Sequence, residues 1–344
     1  MTETTPNRDA WRDLVVEEAL EPDLPIIDPH HHIWPQSPVP GAEPWGSDDL
    51  FRYKTGSGHN IVATMFVESG VGYRTSGPPE LLSVGETEYA EQVACDAESM
   101  GGRLTGTVAG IVVAADLMLG ARVADTLNAH LAASSRVRAV RALTAWDPDM
   151  PYDMGTRPGM LADPAFREGA AQLASRGLAL DVWLMHPQMP DLLALAKQLP
   201  DTQFVLDHLG APLGVGRFAG DAEATFAQWE QLLSPLAKLP NVAVKLGGLN
   251  MPLTGLCVDE LAHRPWNSDQ MAQAQGRHVL RAIELFGPDR CMFESNFPVD
   301  RALTNGTVLW NAFKRIAAGF TADEKHALFF GTANRIYRLG QSAG

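Results

Sequence analysis

Eight short apolar runs, each followed by a longer stretch of helical periodicity, constrain this 344-residue chain more than any other feature. The runs fall at residues 24–28, 61–68, 107–114, 137–143, 178–184, 203–207, 242–246 and 290–295, and they are rich in Val, Ile, Leu and Phe. They lack the apolar–polar alternation of a strand with one wet face. Strands buried on both faces have this pattern, as in a parallel sheet covered by helices.

The stretches between them carry helix punctuation. Residues 86–100 stop at Gly101 and Gly102, a C-terminal signal. Asp163 and Pro164 suit the N-cap and first helical position of a helix ending before Gly177. Thr321 and Glu324 have capping-box spacing ahead of residues 325–339. Further helices are expected at 116–133, 191–199, 221–239, 270–286 and 307–318. Eight strands with helical crossovers predict an α/β fold, a single-domain (β/α)8 TIM barrel. Its rival, a doubly wound open sheet, usually has a Gly-rich turn after the first strand, where this chain has Pro29 and three histidines. We expect a lead segment over residues 1–24 and one barrel domain over 25–344. Two connections, 33–60 and 247–269, are unusually long. Both leave the C-terminal ends of strands, the face where barrel active sites sit, and are read as lids or binding walls.

Composition narrows the function. A 45% hydrophobic content excludes disorder, and 31 Gly and 24 Pro without a period exclude a collagen-like chain. The apolar run 107–119 contains Asp116 and falls short of the about 20 residues that span a bilayer. The first 25 residues have neither a basic start nor an apolar core, so a cytoplasmic location is expected. With 41 acidic against 27 basic residues and no basic cluster, the expected partner is a small molecule, not nucleic acid or a membrane. A homo-oligomer formed through apolar helix faces is compatible with the pattern. Cys95, Cys257 and Cys291 have no CxxC spacing and are expected to be buried, reduced thiols.

The sharpest chemical signal is Asp28-Pro29-His30-His31-His32-Ile33-Trp34. On extended backbone alternate side chains share a face, so His30 and His32 point together and His31 points away. Two adjacent imidazoles can chelate a divalent ion. His186 ends the fifth strand and His208 the sixth. Four histidines from three strand ends mark an active site. His59, His130, His263, His278 and His326 fall in loops or helices and are read as structural. Asp28 is expected to orient its neighbours.

With Lys245-Leu246-Gly247-Gly248 and Met292-Phe293-Glu294-Ser295-Asn296-Phe297-Pro298, these residues make the chain resemble the amidohydrolase superfamily, and its amidohydrolase-related branch most closely, from residue 26 to about 339. That branch contains lactonases acting on sugar-acid and pyrone-dicarboxylate lactones, and metal-dependent decarboxylases. The resemblance implies a divalent metal, zinc first, on His30 and His32 with His186 and His208 completing the site, or a metal-free variant in which histidines polarise the carbonyl. It implies opening of a lactone or similar cyclic ester, with a decarboxylase or a catalytically impaired binding protein as alternatives. One position departs. The branch usually has Ser-Asp-(aromatic)-Pro after the eighth strand, where its Asp binds metal and takes a proton from water; this chain has Asn296. An amide cannot act as that base. Glu294 and Asp300 are the candidate replacements, with Lys245 as a structural partner of Glu294. Arg74, Arg141, Arg217 and Lys245 would hold an acidic substrate, since Arg pairs bidentately with carboxylates. Trp34, Trp146 and Trp183 offer an apolar wall.

Overall fold

The apolar runs form strands β1 (Pro25–His31), β2 (Asn60–Val67), β3 (Gly110–Ala114), β4 (Val137–Leu143), β5 (Ala179–Trp183), β6 (Phe204–Leu206), β7 (Val242–Lys245) and β8 (Cys291–Met292). The computed structural model describes residues 8–37, 43–149, 155–256 and 263–343. All seven strand pairings are parallel, in the order β1 to β8. The ring closes just past β8, where His31 bridges Phe297 and the His32 N–H donates to the Phe297 carbonyl over 2.7 Å. The architecture is the expected (β/α)8 barrel.

Around it lie α1 (Arg8–Arg12), α2 (Ser47–Gly56), α3 (Val84–Met100), α4 (Val123–Ala133), α5 (Pro164–Ala170), α6 (Met189–Gln198), α7 (Ala222–Ala237), α8 (Ser268–Phe286), α9 (Gly306–Ile316), α10 (Ala322–His326) and α11 (Thr332–Ile336). Three expectations need correction. The long connection after β1 is not all loop: it contains α2, which buries Leu50, Phe51 and Tyr53. The helix expected at 116–133 is interrupted at Gly120, whose φ of 60° no α-helix accommodates, so α4 starts at Val123. The helix expected at 325–339 is divided by a π-helical turn, Ala327–Gly331. The thiols also differ from expectation. Cys291 is buried, but Cys95 lies on the wet face of α3 and is exposed; Cys257 falls outside the described residues.

Period-2 alternation sorts each strand into an outward and an inward set. Outward residues such as Ile26, Phe66, Val140, Phe204 and Val244 pack under the helices. Inward residues Ile27, Ala63, Val112, Ala139, Ala179, Val205, Ala243 and Met292 form a second core, sealed at the N-terminal end of the barrel by Phe330, Ala333, Ile336 and Tyr337. Two residues further along β4, β5 and β7 the inward positions are Arg141, Asp181 and Lys245; just past β6 and β8 they are Asp207 and Glu294. An apolar floor therefore carries a charged layer. The lead segment is tied to α9, with Leu20 N–H donating to Asn311 and the Lys314 ammonium to the Leu20 and Glu21 carbonyls. No helix among the described residues is long and apolar enough to cross a membrane.

Candidate active site

A register shift turns the histidines of β1 inward. Asp28 faces Thr64 and His31 faces Phe66, so β1 uses three steps where β2 uses two. Without this bulge, the phase set by inward Ile27 would carry His31 into the barrel. With it, His30 Nε2 lies 3.3 Å from His32 Nε2, while His31 turns to the Thr64 hydroxyl at 2.9 Å. Asp28 braces the closure, accepting from Ser295 N–H at 2.9 Å and from the Tyr53 hydroxyl at 2.9 Å. Burial disfavours the charged form of both rings: it depresses His30, helped by Lys245, and depresses His32 well below the usual imidazole range. His32 donates Nδ1–H to the Val67 carbonyl at 2.9 Å, leaving Nε2 bare.

His208 follows β6 and has φ 54°, as does Leu209. This left-handed backbone, rare for residues with a Cβ, lays its ring 4.7 Å from that of His30. Gly248 makes room, because a Cβ there would meet His208 Nδ1 at 2.4 Å; a Cβ on Gly247 would meet the Glu294 carbonyl at 2.4 Å. The Gly-Gly step after β7 is thus a requirement of the site. Glu294 Oε1 lies 2.6 Å from His208 Nδ1 and Oε2 lies 3.0 Å from His30 Nδ1. Burial alone would depress His208, but the Glu294 carboxylate overrides it and holds the imidazole above its ordinary range. Burial would raise Glu294, but the imidazoles of His208 and His30 pull it down to about 2.

Lys245 sits beneath this pair, fully buried. Its expected partner was Glu294, yet its ammonium lies 2.7 Å from Asp181 Oδ2, 3.0 Å from Asp207 Oδ1 and 3.1 Å from His30 Nδ1. The Tyr337 hydroxyl also donates to Asp181 Oδ2, at 2.8 Å. Burial raises Asp181 to about 6, whereas Lys245 overcomes burial at Asp207 and holds it well below the carboxylate range. Asp181 and Asp207 were not singled out from sequence. The available signal was an acid within an otherwise apolar inward-facing strand pattern, which in a barrel requires a buried partner.

The other candidates divide. Asn296 (φ 52°) and Asp300 join the site's rim: Asn296 Nδ2 donates to Asp300 Oδ1 at 2.9 Å, and Asn250 N–H donates to Asp300 Oδ2 at 3.2 Å. Trp34 stacks on His32 at 5.5 Å, and Trp183 meets His208 edge-on at 6.1 Å. Arg141 is clamped on Glu68, its guanidinium 2.5 Å from Oε1 and also donating to the Glu68 carbonyl. His186 is not brought to the other three histidines. Its Nδ1 accepts from Leu213 N–H at 3.1 Å, its ring packs on Phe218, and burial depresses it to about 4. Arg74 is committed to Glu88 at the surface, and Arg217 to Asp147 and Asp149.

The donor set fits a divalent ion. Ligand atoms of His30, His208 and Glu294 lie within 4.8 Å of one another, and Glu294 Oε2 is a buried acceptor without a hydrogen bond among the described residues. The 3.3 Å between the Nε2 atoms of His30 and His32 is about the ligand separation on a tetrahedral zinc with bonds of roughly 2.0–2.1 Å. Moving the His30 proton to Nδ1, facing Glu294 Oε2, would bare Nε2 and form the carboxylate–histidine pairing usual at metal sites.

A barrel with imidazoles and carboxylates gathered at its strand ends has the form of an enzyme active site, and comparison with known proteins gives the family. Residues 27–339 match the amidohydrolase family model (Amidohydro_2), so the chain belongs to that family. It is an amidohydrolase-type, lactonase-like hydrolase. A Sinorhizobium fredii protein, y4mH, described as uncharacterized, is 32% identical over 333 residues, covering 92% of this chain and 99% of its own. An L-fucono-1,5-lactonase of Burkholderia ambifaria is 27% identical over 323 residues, covering 92% and 97%. A crystal structure of a Burkholderia multivorans amidohydrolase with bound zinc superposes with a TM-score of 0.69 at 24% identity, covering 91% of this chain and 99% of that one.

Proposed function

We propose that this enzyme opens an uncharged lactone or similar cyclic ester by attack of water at the ring carbonyl. The observation that carries the reading is the 2.6 Å contact of His208 Nδ1 with Glu294 Oε1, which favours the charged form of that imidazole, beside the paired rings of His30 and His32 at the strand ends. His208 meets Glu294 through Nδ1, so Nε2 lies on the side of the ring away from that carboxylate. A donor there stabilises negative charge developing on a carbonyl oxygen. His30 and His32, with Glu294 behind His30, would hold a divalent ion, whose chemistry is Lewis acidity toward a carbonyl and a lowered pKa of water. Trp34 and Trp183 bring ring faces and edges for the carbon skeleton. His186, sequestered behind Phe218, supports the loop after β6 in this reading.

The cations favour a neutral substrate. Arg74, Arg141, Arg217 and Lys245 each already face a carboxylate, leaving none of the four for a substrate acid. This argues against a substrate carboxylate paired with any of these four side chains. The test is product analysis in H2¹⁸O with six- and five-membered aldonolactones. The reading expects a ring-opened hydroxy acid carrying one ¹⁸O in its carboxylate. Release of carbon dioxide from an aromatic acid, with no lactone consumed, would replace hydrolysis by a lyase reaction.

A further inference from the structure

We infer that Asp300 is the carboxylate that takes the proton from the attacking water, with Asn296 and Asn250 positioning it. The inference rests on the lactone-opening reading and names the base which that reading requires.

Of the other carboxylates at the strand ends, Asp28 is wholly buried and braces the barrel closure, accepting from the Ser295 N–H and the Tyr53 hydroxyl, and the rest are paired with charged partners or imidazoles. Glu294 is wholly buried beneath two imidazoles, with His208 and His30 facing one oxygen each. Asp181 and Asp207 share the Lys245 ammonium. Glu68 is gripped by Arg141. A carboxylate with a cation against it is a poor proton acceptor near neutrality, because the partner stabilises its charged form. Asp300 differs from the carboxylates paired with cations. Both of its hydrogen bonds come from neutral groups, the Asn296 amide and the Asn250 backbone N–H, and neither brings a charge. Asn250 is fixed in turn by Gln275 Nε2 at 2.7 Å from α8, so the support is rigid.

Position agrees with that role. Asp300 lies past the end of β8 against the loop that follows β7, at the C-terminal end of the barrel, and the charged groups facing it are His208 and Glu294. Burial raises its carboxyl to about 7, with His208 pulling the other way. An acid half-ionised near neutral pH is well matched to accept and return a proton. The left-handed backbone of Asn296 aims its amide at Asp300, and the Asp300 N–H closes the turn on the Asn296 carbonyl at 3.1 Å.

The proton balance closes. Ionised Asp300 takes one proton as the water oxygen bonds to the ring carbonyl carbon. The tetrahedral adduct then breaks its ring C–O bond, and the departing oxygen receives that proton from Asp300. The products are a hydroxy acid and regenerated carboxylate, with no redox partner.

The experiment moves the charge across one hydrogen bond. Asp300→Asn removes it, and the double variant Asn296→Asp with Asp300→Asn places it on the other member of the 2.9 Å pair. Both variants are nearly isosteric with the parent. Steady-state hydrolysis of a six-membered aldonolactone is followed from pH 5 to 9, beside thermal midpoints. Asp300→Asn is expected to lower kcat about 100-fold or more with KM within threefold, in keeping with the roughly 10²–10⁴ of general-base catalysis, and to abolish the acid limb near pH 7. The double variant is expected to recover at least tenfold of the lost kcat. A parent-like kcat in Asp300→Asn, or a folded double variant no faster than it, overturns the assignment while lactone opening stands. If the parent itself opens no lactone, that reading falls and the base assignment falls with it.

Discussion

Replacing Lys245 by methionine keeps the side-chain length and removes one buried charge that three groups address within 3.1 Å. Asp181 and Asp207 then face each other in the barrel without a cation. Breaking a buried ion pair by removing one partner costs about 3–5 kcal/mol. Unfolding entropy of about 2.1 cal/mol/K per residue gives roughly 0.7 kcal/mol/K for a chain of this length, so the thermal midpoint should fall by about 4–7 °C. The pH dependence separates this from simple loss of packing. In the parent, Lys245 holds Asp207 depressed, a contribution present above its unfolded pKa and lost as the pH falls. In the variant the acids are raised, so they destabilise increasingly as the pH rises. Asp181, already raised to about 6 with the ammonium present, moves higher without it. The deficit should therefore be larger at pH 8 than at pH 5, and Asp181→Asn added to the variant should recover part of it. Calorimetric midpoints at the two pH values read this directly. A loss below about 1 kcal/mol, or one equal at both pH values, would refute the charge argument.

Other outcomes follow from the same geometry. Glu294→Gln should lower the His208 pKa from its parent value, read by NMR of its ring carbons; an unmoved titration would contradict the pairing. Because Glu294 is held at about 2, its contribution is present above its unfolded pKa and lost as the pH falls, so acid unfolding should begin at higher pH in that variant. Gly248→Ala combines a Cβ 2.4 Å from His208 Nδ1 with a φ of 72°, and should cut activity at least tenfold by displacing the ring. His32→Asn should weaken zinc binding at least 100-fold by calorimetric titration, since one of two Nε2 donors 3.3 Å apart is lost. Arg217→Ala should leave kcat within twofold, because its partners are Asp147 and Asp149, which are not among the side chains gathered around His30 and His208.

The barrel was legible because its strands are apolar on both faces, and the histidine motif because alternation survives in His30 and His32 once a bulge is added. The bulge itself was not legible: nothing in Asp28-Pro29-His30 tells whether β1 uses two steps or three against β2. The charged layer was half visible. Lys245 and Glu294 stood out as ions in apolar strands, but their pairing follows from which strands face each other across the barrel, and Asp181 and Asp207 proved the better partners of Lys245. His186 shows the opposite failure. Its place after β5 matches that of His208 after β6, yet only His208 has the left-handed backbone that brings its ring over the barrel axis. Strand-end position does not encode that turn, whereas the glycine needed opposite it was visible at Gly248 without its reason.

The most direct measurement is a crystal structure of the protein soaked with the hydroxy acid formed from a neutral aldonolactone. The account predicts the new carboxylate within hydrogen-bond reach of His208 Nε2, against the paired rings of His30 and His32. Ordered product bound elsewhere, with those three imidazoles untouched, would contradict it.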